Sequence, residues 1–274
     1  MKPAANSSFR TPEIAGYTIV EQLYSGSRTA VYRAVQPNLQ HPVVLKMLRR
    51  DYPTFNELVQ FRNQYTIAKN LNLPGIVQPL ALETVGGGYA LVMEDWGGVA
   101  LGQYMRQALD VADVLTIALQ LADILHNLGQ HRVVHKDLKP ANILIHPETQ
   151  QVKLIDFSIA SLLPRETQEI QNPNGLEGTL AYLSPEQTGR MNRGIDYRSD
   201  FYSLGVTLFE LLTGQLPFQS ADPMELVHCH LAKQPPSVCD VNPDLPLMLG
   251  EIIRKLMAKN AEDRYQSALG LKHD

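Results

Sequence analysis

The sequence has little cysteine and no excess of charge of either sign. Cys229 and Cys239 are its only cysteines in 274 residues, which excludes a disulfide framework and favours a reducing compartment, so we predict a cytoplasmic protein. Its 24 Lys and Arg residues oppose 28 Asp and Glu residues, for a net charge of −4. This balance argues against a protein built mainly to bind nucleic acid or an acidic membrane.

Long hydrophobic runs are also absent. The two most apolar stretches, 114–128 and 201–213, are short and are interrupted by residues such as Asp123 and Glu210. A membrane span needs about 20 mostly apolar residues, so we predict none. The first residues lack the apolar core of a signal peptide, and we interpret residues 1–16 as a lead-in segment.

Several widespread catalytic signatures are missing. The sequence has no GxxxxGK[ST] phosphate loop, no HExxH zinc motif, no GxSxG nucleophile motif and no CxxC pair. It also has no internal repeat and no low-complexity tract. The site types that those motifs indicate are therefore without support in this chain.

The residues that are present suit about two folded units, because 44% of them are apolar and domains average roughly 150 residues. In the first third, five segments have the composition of strands, namely residues 17–23, 30–35, 42–48, 77–84 and 89–94. Between the third and fourth, residues 54–71 carry apolar side chains every three or four positions, which predicts a helix. Thr54 and Glu57 resemble a capping box at its start.

The rest of the chain is predicted to be mainly helical. Helical spacing of apolar residues occurs in 112–128, 196–213, 223–233 and 247–259. The expected fold class is therefore α+β, with a small antiparallel sheet plus one helix followed by a larger helical part. A cleft between two such parts is a common place for a ligand.

Four motifs in order carry the functional signal. They are His135-Lys-Asp-Leu-Lys-Pro-Ala-Asn142, Lys153-Leu-Ile-Asp-Phe-Ser158, Gly178-Thr-Leu-Ala-Tyr-Leu-Ser-Pro-Glu186 and Asp200-Phe-Tyr-Ser-Leu-Gly205. This set resembles the eukaryotic-type Ser/Thr protein kinases over about residues 17–270. The resemblance implies a bilobal protein kinase fold, with an N-lobe at 17–94 and the hinge and C-lobe at 95–274, forming one catalytic domain.

The resemblance also implies a role for each polar motif residue in transfer of the ATP γ-phosphoryl group to a Ser or Thr hydroxyl of a protein substrate. Asp137 matches the catalytic base, and Lys139 would neutralise the transferring group. Asn142 and Asp156 match the Mg²⁺ ligands, and their oxygen atoms suit that ion. Lys46, at the end of the third strand, matches the lysine that holds the α- and β-phosphates.

The nucleotide base has its own expected contacts by the same resemblance. The backbone C=O of Glu94 and N–H of Trp96 would meet the adenine edge, and Met93 would border the back of the pocket. The side chains expected to enclose the adenine ring are those of Val31, Val44 and Leu144.

The sequence departs from the family pattern in four features. Within residues 24–31 only Gly26 remains of the three glycines that cover the phosphates. Gln64 falls where the helix glutamate that pairs with Lys46 is expected. Ser158 replaces the glycine of Asp-Phe-Gly, and Lys136 replaces the arginine of His-Arg-Asp. Because Lys cannot make the bidentate fork of Arg, we predict a weaker dependence on phosphorylation of the activation segment.

Other motif residues are expected to support the site rather than to act in it. His135 and Phe157 would pack beneath it, and Asp200 would hold the catalytic-loop backbone. Glu186 and Arg264 are expected to form a buried ion pair. Thr179 would hydrogen-bond near Asp137 and Lys139, and both Thr167 and Thr179 are candidate phosphorylation sites.

Two other functions stay open at the level of sequence. The four departures favour a pseudokinase that binds nucleotide or partners and regulates other domains, whereas the intact Lys46, Asp137, Lys139, Asn142 and Asp156 favour an enzyme. A small-molecule kinase of the aminoglycoside type shares the base and metal logic, but residues 178–186 and 200–205 argue against it. A metal site at His228-Cys-His230 is disfavoured, because helical neighbours two apart do not face each other.

The amino-acid sequence of residues 179–193 and 224–230 resembles that of the N-terminal kinase domains of large cyanobacterial signalling proteins. In those proteins, ATPase, sensor and histidine-kinase regions follow the kinase domain. This resemblance implies bacterial signalling and partners that include downstream domains of the same chain. The sequence stops at residue 274, inside the expected last helix, which we interpret as a sign of a longer protein.

Overall fold

Five strands in the first third of the chain form an antiparallel sheet. The computed structural model describes residues 14–36, 41–50, 52–105, 108–162 and 180–274. The strands are β1 (Thr18–Ser25), β2 (Thr29–Val35), β3 (Pro42–Leu48), β4 (Pro79–Val85) and β5 (Gly88–Glu94), in the spatial order β1-β2-β3-β5-β4. One face of this sheet forms a small core that includes Val43, Leu45, Met47, Ala90 and Val92.

The predicted capping box starts the helix of this region. The Glu57 carboxylate accepts hydrogen bonds from the backbone N–H of Thr54 (2.8 Å) and from its hydroxyl (2.9 Å), and the Thr54 hydroxyl accepts from the Glu57 N–H. The helix, α1, covers Phe55–Leu71. The expected helix at 54–71 is thereby confirmed, together with the reason for its first residue.

Two compact units divide the chain. One consists of the described residues of Met1–Tyr65 together with Gln78–Asp95, and the other of Thr66–Val77 together with the described residues of Trp96–Asp274. The last turns of α1 thus belong to the second unit, where Ile67, Ala68 and Leu71 join its core.

Helices make up most of the second unit. Within its described residues they are α2 (Leu101–Tyr104), α3 (Val111–Gln130), α4 (Arg198–Thr213), α5 (Pro223–Ala232), α6 (Val238–Val241), α7 (Leu247–Leu256) and α8 (Ala268–His273). Three short strands form a separate sheet, and they are β6 (Val99–Ala100), β7 (Ile143–Ile145) and β8 (Val152–Leu154). The four helices expected in this part are confirmed, with ends that differ by a few residues.

Helix α3 is, by length and composition alone, apolar enough to cross a membrane. In the fold, however, its side chains at Ile117, Leu121 and Leu128 are buried in the core of the second unit. On another face, Asp123 forms an ion pair with Lys272 of α8 at 2.7 Å. The helix therefore has the contacts of a core helix within its own unit.

Helix α4 is buried on almost all sides, and one glycine makes this possible. A Cβ atom at Gly205 would lie 2.8 Å from Cβ of Leu256, so the side of α4 at this position can approach α7 only without a side chain. Burial on every side excludes unpaired polar groups from such a helix. Asp200 in its first turn is accordingly hydrogen-bonded, and its partners define the site described next.

Candidate active site

The catalytic-loop backbone is held by Asp200. One carboxylate oxygen accepts the N–H of His135 and the other accepts the N–H of Lys136, both at 2.8 Å. Burial raises the pKa of this carboxyl, while the two N–H donors favour its ionised form. Lys136 has a φ of +68°, a left-handed conformation that the two converging N–H bonds stabilise. The expected role of Asp200 is confirmed.

Asp137 lies next to two of the other predicted site residues. Nζ of Lys139 is 2.9 Å from each carboxylate oxygen of Asp137. Nδ2 of Asn142 donates to Oδ2 of Asp137 at 2.8 Å and to its backbone oxygen at 2.9 Å. The Asp137 carboxylate is thus hydrogen-bonded both to an ammonium group and to an amide group.

His135 connects this loop to the segment after β8. Its ring is fully buried, with Nε2 at 3.0 Å from the backbone oxygen of Ile155 and Nδ1 at 3.3 Å from the N–H of Asp137. Because a carbonyl only accepts and an N–H only donates, this geometry assigns a proton to Nε2 and makes Nδ1 the acceptor. The Phe157 ring packs edge-on against the imidazole, with centroids 4.7 Å apart, as expected for the layer beneath the site.

The two predicted metal ligands are neighbours through the backbone. The N–H of Ile155 donates to the backbone oxygen of Asn142 at 3.0 Å, which places Asp156 directly after that link. Asp156 has a φ of +66°, in the left-handed region that strains a residue with a side chain. Since Nδ2 of Asn142 is bonded to Asp137, its amide orientation leaves Oδ1 as the ligand atom. A carboxylate and an amide oxygen are the donors that a hard divalent cation prefers, so this set fits Mg²⁺.

In the first unit, the other predicted residues share one face of the sheet. Val31 is paired with Lys46, and Val44 with Met93, in the register of neighbouring antiparallel strands. Directly opposed residues point to the same side of a sheet, and so do residues two apart in one strand. Val31, Val44, Lys46 and Met93 therefore lie on the face opposite to the small core.

Lys46 contacts Gln64 of α1. Its Nζ donates to Oε1 of Gln64 at 3.0 Å and lies 5.7 Å from the centroid of the Phe61 ring. Gln64 and Phe61 are both 3% exposed. The placement of Gln64 at the lysine is thus confirmed, and Glu57 instead caps the helix at Thr54.

The last three predicted nucleotide-binding positions lie at the end of β5 (Glu94), just after it (Trp96) and in β7 (Leu144). In the first unit, Glu94 is tied to Gln78 by two hydrogen bonds, of 3.0 and 3.1 Å. In the second unit, a Cβ at Gly98 would lie 2.8 Å from the Trp96 ring and 3.1 Å from Cβ of Leu144. Trp96 and Leu144 therefore both lie against the backbone at Gly98.

The segment around Glu186 supports the catalytic loop from below. Arg264 donates to both carboxylate oxygens of Glu186, at 2.7 and 2.9 Å, so the expected buried ion pair is confirmed. Nε2 of Gln187 donates to the backbone oxygen of Lys136 at 2.7 Å. We did not predict this last contact, although the Ser184-x-x-Gln187 spacing is that of a capping box, which the structure contains.

The remaining sequence predictions concern the two histidines of α5 and the two candidate phosphorylation sites. His230 is fully buried and its Nδ1 lies 3.0 Å from the Tyr202 hydroxyl, whereas His228 is exposed, so these two histidines point to different sides of α5 as expected. Thr167 and Thr179 lie outside the described residues.

Comparison with known proteins identifies the family to which the chain belongs. The family model described as "Protein kinase domain" matches residues 17–274. The chain is 35% identical over 263 residues to Serine/threonine-protein kinase PrkC of Bacillus subtilis. This aligned region covers 94% of the chain and 40% of that protein. The chain is 34% identical over 269 residues to Serine/threonine-protein kinase PknF of Mycobacterium tuberculosis, covering 92% and 54%.

A third similarity has a higher identity over a shorter stretch. Over 96 residues the chain is 60% identical to Hybrid signal transduction histidine kinase G of Dictyostelium discoideum, which is 35% of this chain and 3% of that protein. The matched regions thus cover from 3% to about half of the length of these relatives.

Proposed function

Because the chain belongs to the protein kinase domain family, we propose that it transfers the γ-phosphoryl group of ATP to Ser or Thr hydroxyls of proteins. Family membership implies ATP as the donor and a divalent cation. The observation that carries the proposal is the cluster of Asp137, Lys139 and Asn142, joined by hydrogen bonds of 2.8 to 2.9 Å. Relatives that are named Ser/Thr protein kinases support the choice of acceptor.

Each polar residue takes one step in this proposal. The Asp137 carboxylate orients the substrate hydroxyl and accepts its proton. Lys139, now bonded to that carboxylate, turns its ammonium group to the transferring phosphoryl oxygens and neutralises their charge. Lys46 holds the α- and β-phosphates, and Gln64 keeps its ammonium group in place.

The divalent cation is proposed to be Mg²⁺, held by Oδ1 of Asn142 and the carboxylate of Asp156. When bound, it neutralises phosphate charge and orients the phosphates. Asp137 contributes indirectly, because its bonds to Nδ2 of Asn142 fix which amide atom faces the ion.

The nucleotide base is proposed to contact the positions that border the sheet face and the segment after β5. The C=O of Glu94 and the N–H of Trp96 would read the adenine edge, beside Met93. The residues proposed to enclose the ring are Val31, Val44 and Leu144, and Gly26 would approach the phosphates.

The wider role is proposed from the relatives rather than from the site. We infer that residues 17–94 and 95–274 form one catalytic domain that works beside further domains, because the relatives are much longer than the matched region. We also propose that it acts on a protein substrate, has downstream domains of the same chain as partners and is located in the cytoplasm. A role in signalling is supported by the short match to a hybrid signal transduction kinase.

A transfer assay with γ-labelled ATP tests the function. The wild type is expected to label Ser or Thr residues of a degenerate peptide library in the presence of MgCl₂, with phosphoamino-acid analysis to identify the acceptor. Asp137→Asn and Asp156→Ala should abolish transfer, and Asp244→Asn, an exposed aspartate, should leave it unchanged. Transfer that persists in Asp137→Asn and Asp156→Ala would refute the proposal.

The alternative of a regulatory domain without transfer is separated by the same preparation. Nothing in the comparisons favours it. Tight binding of ATP, measured by calorimetry, with no transfer to the library or to the chain itself, would favour it over an enzyme.

A further inference from the structure

The turn between β1 and β2 has a single glycine, Gly26, and the side chain of Tyr24 lies over it. The N–H of Gly26 donates to the backbone oxygen of Thr29 at 2.9 Å, which closes the turn directly after the Ser25–Ala30 pair. A Cβ at Gly26 would lie 2.8 Å from two ring atoms of Tyr24. The Tyr24 ring therefore lies against the turn, and a side chain at residue 26 would require this ring to shift.

Arg49 binds the same turn from the neighbouring strand. The register pairs Thr29 with Leu48, so Arg49, the next residue, comes beside Arg28 and donates its N–H to the Arg28 oxygen at 2.9 Å. Its guanidinium Nη1 then donates to the backbone oxygen of Gly26 at 2.8 Å and to the Ser25 hydroxyl at 3.3 Å. One residue thus bonds the turn at three points.

The bond to Gly26 fixes the direction of a backbone N–H group. The C=O of Gly26 and the N–H of Ser27 belong to one planar trans peptide unit and point in opposite directions. When Arg49 holds that oxygen, the Ser27 N–H is directed away from the guanidinium. Successive N–H groups in a turn can bind a phosphate, provided that they point to it together.

We propose that Arg49 is a positioning residue for ATP binding, which holds the β1–β2 turn so that the Ser27 N–H is directed toward the phosphates. This inference rests on the proposed function. In the family pattern three glycines let the loop adapt to the phosphates, and here only Gly26 is left. Arg49 compensates by fixing the turn in advance, which lowers the entropy lost on binding.

The proposal predicts a loss that depends on the phosphates. In calorimetry with MgCl₂, Arg49→Ala is expected to raise the Kd of ATP and of ADP about fivefold, the factor for a hydrogen bond worth about 1 kcal/mol. The Kd of adenosine should not change, because the base does not meet this turn. Arg50→Ala is the matched control, since it removes the same charge from the adjacent exposed residue, and it should bind ATP as the wild type does.

Kinetics and hydrogen exchange complete the test. Arg49→Ala should raise KM for ATP with little change in kcat, and should speed amide exchange at residues 25–29 of the nucleotide-free protein. An equal effect of Arg50→Ala, an equal loss of adenosine binding, or unchanged ATP affinity in Arg49→Ala would overturn the proposal. Binding and exchange are measurable without phosphoryl transfer, so a chain that binds ATP in this way but transfers no phosphate would contradict only the proposed function.

Discussion

The ammonium group of Lys46 donates a 3.0 Å hydrogen bond to the amide oxygen of Gln64. At this helix position the family pattern has a carboxylate, so an uncharged acceptor replaces a charged one. The amide keeps the geometry of the contact but adds no charge of its own. Orientation of Lys46 therefore depends on a weaker interaction than a buried ion pair would supply.

Gln64→Glu should strengthen the proposed enzyme. The substitution is nearly isosteric and places a negative charge beside Lys46, so we expect kcat/KM for ATP to rise about fivefold, the equivalent of about 1 kcal/mol. Steady-state kinetics measure it. Asn56→Asp, which adds the same charge at an exposed position of α1, should have no effect. A value for Gln64→Glu at or below that of the wild type would contradict the prediction.

Phe61→Leu should weaken the hold on Lys46. The ring lies 5.7 Å from Nζ, and a cation over an aromatic face gains about 0.5–1 kcal/mol. Leucine keeps the buried apolar contact without that face, so kcat/KM should fall about threefold. In a Gln64→Glu background the loss should shrink, because the carboxylate then holds the ammonium group. Strictly additive effects in this double-mutant cycle would show that the ring does not act through Lys46.

Glu186 and Arg264 should make stability depend on acid. Burial by itself raises the pKa of Glu186, but the hydrogen bonds from Arg264 and Ser199 outweigh it and hold the pKa below the ordinary value. A group with a lowered folded-state pKa stabilises the fold above its unfolded pKa of about 4.5, and this stability is lost as pH falls through the folded value. Denaturant unfolding as a function of pH should show that decline.

Glu186→Gln tests the same pair directly. At pH 7 it leaves the Arg264 guanidinium buried without its carboxylate, so the free energy of unfolding should fall by about 3–5 kcal/mol. The decline below pH 4.5 should also become shallower than in the wild type. Glu251→Gln, in the exposed pair with Arg254, should have the free energy of unfolding of the wild type both at pH 7 and below pH 4.5. A neutral effect of Glu186→Gln at pH 7 would contradict a stabilising role of the pair.

Lys136 leads to a prediction about activation. Its backbone is held by Asp200 and Gln187, and its side chain cannot make the bidentate bonds of an arginine to a phosphate. Phosphatase-treated protein should therefore retain most of its transfer activity in the labelled-ATP assay. A preparation that is inert until Thr167 or Thr179 is phosphorylated would contradict this.

The sequence predicted two kinds of contact, those between residues a few positions apart and those between residues of the family motifs. The Thr54–Glu57 cap is a contact across three positions, and helical spacing sets it. The family resemblance predicted that Asp200 holds the catalytic-loop backbone and that Glu186 pairs with Arg264. The short strands β6 and β7 were missed, because segments of two or three residues carry no periodicity.

Contacts between distant segments without a motif could not be predicted. Nothing in the sequence connects Arg49 with the oxygen of Gly26, or Gln187 with the oxygen of Lys136. The acceptors are backbone oxygens, which every residue has, so side-chain identity does not select them. Strand register and the path of the chain decide which oxygen lies within reach.

The residue types of this chain thus decide its proposed chemistry, with carboxylates and an amide suited to a cation and lysines suited to phosphates. Helical and strand periods decide the two kinds of structure. The fold decides geometry, such as the left-handed φ of Lys136 and Asp156 and the proton on Nε2 of His135. The physical reason is one of range. Propensity and periodicity act over a few neighbours, whereas strain and hydrogen-bond direction depend on partners brought together from far along the chain.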